Sequence, residues 1–169
     1  LLFRQGLYEA CVAPLRADVA ADRWNRHPAV LADIHLLIGH AAVKLGQMER
    51  AVRAEQTALN LIRSIEKARE NPGTSGLGRQ FKDPYSPERQ IEWSALRGVL
   101  ASDSGAHDTA VRELSRFFQL SPADDPRRSE LRIRYAESAL ETGLVLDAWH
   151  TAGESFETIA LLTEPWDLR

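Results

Sequence analysis

The chain has 169 residues, of which 21 are basic and 24 acidic, giving a net charge of −3. With 44% hydrophobic and 27% charged residues it has the composition of a folded globular protein rather than a disordered one, and it is not basic enough to favour nucleic acid as a partner. A single cysteine, Cys11, excludes an internal disulfide framework and a cysteine-rich zinc site; the longest apolar run, Ile34 to Val43, contains His35 and His40 and falls far short of a membrane span.

Residues 1–24 read as part of a helical hairpin. Leu1 to Ala10 holds the end of one helix, its turn and the start of a second helix, which runs from Leu7 to about Asp22, with Pro14 expected to interrupt and kink it. The connection Asn25-Arg26-His27-Pro28 leads into a first complete hairpin over 28–69. Residues 70–88 form an irregular insertion with Pro72, Pro84 and Pro87 and three glycines between Gly73 and Gly78. A second complete hairpin spans 89–122, and Pro122-Ala123-Asp124-Asp125-Pro126 connects it to a third over 127–163. In that connection the paired acids are expected to cap the next helix and stay solvated. Residues 164–169, opening Glu164-Pro165-Trp166, read as the start of a further hairpin. The chain therefore reads as beginning and ending inside a repeating unit.

The three complete hairpins align without gaps on small residues. Gly39, Gly98 and Ala136 correspond, as do Ala42, Ala101 and Ala139; Gly46, Gly105 and Gly143; and Ala51, Ala110 and Ala148. Small residues at fixed places let two antiparallel helices approach closely, and the third set places a glycine where the first helix must end in a left-handed residue. Apolar residues at three- and four-residue spacing then mark the second helix. The turn glycines at 6, 46, 105 and 143 are separated by 40, 59 and 38 residues, the long interval being the one that holds the insertion.

With Ile38-Gly39, Ala51 and Ala58 in one unit and Gly98, Ala110 and Pro122 in the next, the sequence resembles the tetratricopeptide repeat family. It departs from the family in its aromatics: the first aromatic position holds His35, Ser94 and Arg132, and the second holds alanine three times. The resemblance implies an all-α fold, an α-solenoid of antiparallel helix-turn-helix repeats wound as a right-handed superhelix, in which first helices line a concave groove. At spacings of seven and four, the groove residues would be Asp33, His40 and Lys44; Glu92, Val99 and Asp103; and Glu130, Glu137 and Glu141, with Arg134 beside the last set. Six of these ten are acidic, so the groove is expected to prefer a segment carrying Lys or Arg. The Lys and Asn clamp with which some members hold a C-terminal carboxylate is absent from these positions.

No pattern points to chemistry. Gly73-Thr74-Ser75-Gly76-Leu77-Gly78-Arg79-Gln80 has two glycines four residues apart, but lacks the Lys-Ser/Thr pair and the preceding strand of a phosphate-binding loop. The insertion is instead a candidate partner contact through Arg79, Phe81, Lys82 and Tyr85. The five histidines form no metal-binding pair on a helix, and Cys11 reads as a small buried hydrophobe without a base. No cofactor, metal or catalytic residue is assigned, and the chain is not expected to be an enzyme.

The expected function is a protein–protein interaction scaffold of the cytoplasm, part of a larger protein, taking a protein or peptide segment in its groove. The alternative is a ligand- or peptide-sensing regulatory module of a multidomain bacterial regulator or ATPase, which the opening His27-Pro28-Ala29-Val30 resembles. Partners would include flanking domains of the same chain, with neither nucleic acid nor membrane bound directly. The uncapped ends would also favour end-to-end self-association.

Overall fold

The computed structural model describes residues 6–22, 27–70 and 86–162, and within these the side chains of Arg69 and of 154–162 are left aside. The described residues hold seven helices and no strand: α1 (Tyr8–Ala20), α2 (Pro28–Lys44), α3 (Met48–Glu70), α4 (Pro87–Asp103), α5 (His107–Leu120), α6 (Arg128–Glu141) and α7 (Val145–Leu162). The protein is all-α in this part. Pro28 occupies the first turn of α2, where no amide donor is needed. At the start of α4 the Ser86 hydroxyl accepts the Arg89 N–H at 3.2 Å, beside Pro87 in the first helical position.

The turns joining α2 to α3, α4 to α5 and α6 to α7 share one hydrogen-bond plan. Gly46, Gly105 and Gly143 have φ of 70°, 78° and 80°. Their N–H groups bond the carbonyls of Val43, Ser102 and Leu140, at 2.9, 3.2 and 3.0 Å. The next residues, Gln47, Ala106 and Leu144, each donate at 2.8 Å to Ala42, Ala101 and Ala139. This paired closure satisfies carbonyls that the helix end leaves open, and it needs a left-handed residue that glycine supplies without a Cβ penalty. The same Gln47, Ala106 and Leu144 then accept, through their carbonyls, the first bond of the second helix from Ala51, Ala110 and Ala148. One residue thus ends a helix and starts the next. The alanines at equivalent places, Ala42, Ala101 and Ala139 with Ala51, Ala110 and Ala148, are buried, none more than 2% exposed, whereas Ala106 in the turn itself is exposed.

The chain divides into two compact units, Leu1–Trp93 and Ser94–Arg169. The division falls inside α4, and so differs from the hairpin boundaries read from the sequence. In the first unit α2 packs against both α1 and α3. Val12, Ile34, Ile38, Ala41 and Ala54 form its core, with Tyr8, Leu15, Val19 and Val30 against them. In the second unit α5 packs against α6 and α6 against α7. Leu100, Leu114 and Phe117 are fully buried there. An edge-on aromatic run continues from Phe117 through Phe118 to Tyr135, with centroids 5.4 and 5.9 Å apart.

Three expectations need correction. Helix α1 is assigned continuously through Pro14, so the proline does not interrupt it. Asp125 does not cap α6, whose N-cap is Arg127 with no side-chain cap bond. Asp125 instead accepts the Arg127 backbone N–H at 2.9 Å and grips its guanidinium through both oxygens, so it is 10% exposed rather than solvated. Cys11 is half-buried on α1 rather than part of the core. The loop residues Arg79, Phe81, Lys82 and Tyr85, and the segment 164–169, lie outside the described residues.

Candidate partner-binding face

The ten groove residues named from the first helices occupy three kinds of surroundings. His40 is 5% exposed and belongs to the interior of the first unit. Asp33 and Asp103 are tied into the packing. Trp93 Nε1 donates to Asp33 at 2.6 Å and Arg89 lies 3.3 Å away, while Arg134 donates to Asp103 at 2.7 Å. Burial pushes the Asp33 carboxyl above its ordinary value, and the Trp93 hydrogen bond and the Arg89 charge counter only part of that. These two acids fasten helices together: α2 to the start of α4, and α4 to α6. Val99 is half-buried. The remaining positions, Lys44, Glu92, Glu130, Glu137 and Glu141, are exposed.

Three of the exposed acids share α6. Glu130, Glu137 and Glu141 lie within roughly 40° of one another at 3.6 residues per turn. Helix α6 carries apolar residues on two sides. Leu131, Ala136 and Ala139 are buried, whereas Ile133 and Leu140 are 45% and 56% exposed. By the same periodicity, Ile133 and Leu140 lie side by side along one edge of the glutamate row, about 40° and 60° from Glu137, and Leu144 in the following turn is exposed as well. Beyond it Val145, Leu146 and Trp149 are exposed at the start of α7, Trp149 by 78%. Large apolar side chains grouped in this way mark a surface able to bury more area against another body.

Reasoning on charge alone finds the glutamates of this face but not its hydrophobic half. The available signal was the excess of apolar residues in α6: Ile133 and Leu140 fall outside the register of Leu131, Tyr135 and Ser138 that faces the interior. Chemically the face can offer a dispersive contact for aliphatic or aromatic side chains and three carboxylates for cations. Among the described residues no group of histidine, cysteine and acidic side chains is arranged to hold a metal ion, and no helix is long and apolar enough to cross a membrane. Comparison with models of protein families, with curated proteins and with solved structures finds no match to this chain.

Proposed function

We propose that the protein is a tetratricopeptide-like solenoid of helical hairpins, wound right-handed, that serves in the cytoplasm as an interaction scaffold and performs no chemistry of its own. Support for the repeat comes from the three turns with one hydrogen-bond plan and their six buried alanines. The observation that carries the binding role is the outward face of α6, where Ile133 and Leu140 alternate with Glu130, Glu137 and Glu141. Its partner is an amphipathic protein segment with an apolar stripe flanked by Lys or Arg. The apolar contact supplies affinity, and the charges set orientation and association rate.

The test is fluorescence anisotropy with a labelled helical peptide carrying Leu and Lys at three- and four-residue spacing, against the same peptide with Glu for Lys. The basic peptide should bind at least about tenfold tighter at low salt and lose that advantage as salt screens the charges. Leu140→Asp, and separately Glu137→Lys with Glu141→Lys, should each weaken binding while helix content is unchanged. Equal binding of the two peptides at low salt would sink the reading. The chain should be monomeric at the working concentration, because a second copy could bury the same apolar residues.

A second reading, a ligand-sensing regulatory module, is favoured by one observation: a cleft rimmed by arginines between α1, α2 and α3.

A further inference from the structure

In the first unit, α1, α2 and α3 line an open surface cleft of ≈ 330 Å³, at the lower end of the range of small-molecule sites. Its apolar wall is built from Val19 on α1, Ile38 on α2 and Ala54 on α3, so all three helices contribute. Three arginines are among its lining residues as well, Arg16 from α1 and Arg50 and Arg53 from α3. An apolar surface bordered by three cations is poorly suited to a hydrocarbon and poorly suited to a bare inorganic anion. It suits a molecule that is apolar over most of its length and negative at one end.

The hydrogen bonding of these arginines singles out two of them. Arg53 lies 3.5 Å from Glu49, but both are more than 80% exposed, so this ion pair holds little. Arg50 donates at 2.9 Å to the neutral Gln47 side-chain amide, which leaves its charge without a counter-ion among the described residues. Arg16 is the most enclosed, at 28% exposure. Its Nη1 donates to Glu9 at 2.7 Å, while its Nη2 is buried and has no hydrogen-bond acceptor. A buried guanidinium N–H without an acceptor is unfavourable, and a ligand oxygen would relieve it. His35, on the same wall, is half-buried, and burial lowers its pKa, which keeps the imidazole neutral at physiological pH. A neutral imidazole there can hydrogen-bond a ligand oxygen without adding a fourth charge.

We propose that this cleft binds a small apolar carboxylate, with its hydrocarbon body against Val19, Ile38 and Ala54 and its carboxylate held by Arg16 and Arg50. The site does not depend on the α6 face, and its ligand differs in charge from the segment proposed for that face.

The experiment is a titration of the full 169-residue chain followed by amide and histidine NMR, with octanoate, octan-1-ol and acetate as probes. Octanoate should bind with saturable shifts confined to α1, α2 and α3, and the His35 titration should move to higher pH in its presence. Octan-1-ol, which lacks the charge, and acetate, which lacks the body, should each bind about tenfold more weakly or worse. Arg50→Gln, an exposed substitution that leaves packing alone, should weaken octanoate by about tenfold, and Arg16→Gln by at least as much. Leu140→Asp on α6 should leave octanoate binding unchanged, so failure here and failure of peptide binding are read separately. Equal affinity for octanoate and octan-1-ol, indifference to Arg50→Gln, or shifts centred outside the three helices would overturn the proposal.

Discussion

Glycine serves two different needs in this chain, and substitution separates them. At Gly46, Gly105 and Gly143 the backbone is left-handed, yet a Cβ would meet nothing within 4 Å. The penalty for alanine at these sites is conformational, about 1–2 kcal/mol each, and asparagine should recover part of it. At Gly98 the need is space. A Cβ there would stand 2.5 Å from Leu114 Cδ2 and 2.6 Å from Cγ, and Leu114 is fully buried with little room to retreat. Gly98→Ala should therefore cost about 1–3 kcal/mol through overpacking. Asparagine at Gly98 should be worse than alanine, the reverse of the order at Gly46, and chemical denaturation of the four variants checks the contrast. Asp125 offers a test by pH. The Arg127 hydrogen bond holds its carboxyl below the ordinary aspartate value. The stability it contributes is therefore present above that ordinary value and is lost as pH falls through the depressed one. Asp125→Ala should cost roughly 1 kcal/mol near neutral pH, and its difference from the parent should shrink under strong acid. A difference independent of pH would assign its effect to backbone geometry alone.

Among elements, the α4–α5 pair shows how much of a helix contact can rest on charge. Arg97 Nη1 donates to Glu113 at 3.0 Å, with side chains only 10% and 5% exposed, and Arg112 approaches Glu113 from outside at 3.3 Å. Two charges this deep do not guarantee net stabilisation over an apolar pair, but removing one takes a buried counter-charge from the other. Glu113→Ala should thus cost about 3–5 kcal/mol, whereas Arg97→Met combined with Glu113→Leu should cost far less. Similar losses in the single and double variants would show that the pair is not the source of the destabilisation. Helix α5 ends under a different device. Arg128 bonds the Ser121 hydroxyl at 2.7 Å and the carbonyls of Phe118 and Ser121 at 3.1 Å, with its guanidinium over the Phe118 ring. That arrangement closes the helix just before Pro122, and it draws on residues seven to ten positions away that a local reading does not connect.

At the scale of the whole molecule, the buried alanines are what let each hairpin close. Ala51 is 2% exposed and begins α3 against α2. Ala51→Arg forces a charge into that crossing and should cost several kcal/mol, on the order of an unpaired buried charge. Trp93, 3% exposed, and Trp149, 78% exposed, report on the first and second units respectively. With Trp24, Trp149 and Trp166 replaced by Phe, the Ala51→Arg variant should lower the unfolding midpoint seen from Trp93. A melt from Trp93 identical to the parent would refute the packing.

The small-residue alignment was legible in the sequence because its cause is local. A left-handed turn requires glycine, a tight crossing requires alanine, and both requirements recur at fixed intervals whatever surrounds them. The all-α class was implied by the resemblance that those small residues carry. What the tertiary structure alone decided was which polar residues are consumed by packing. Asp33 and Asp103 hold the same places in the seven-and-four pattern as Glu130 and Glu141, yet partners 60 and 31 residues away turn the first two into internal fasteners. The cleft at Arg16 and Arg50, and the apolar half of the α6 face, were hidden for the same reason. Helical periodicity gives the direction of a side chain from its own axis, but only the placement of neighbouring helices determines whether that direction meets a partner, a cavity or solvent.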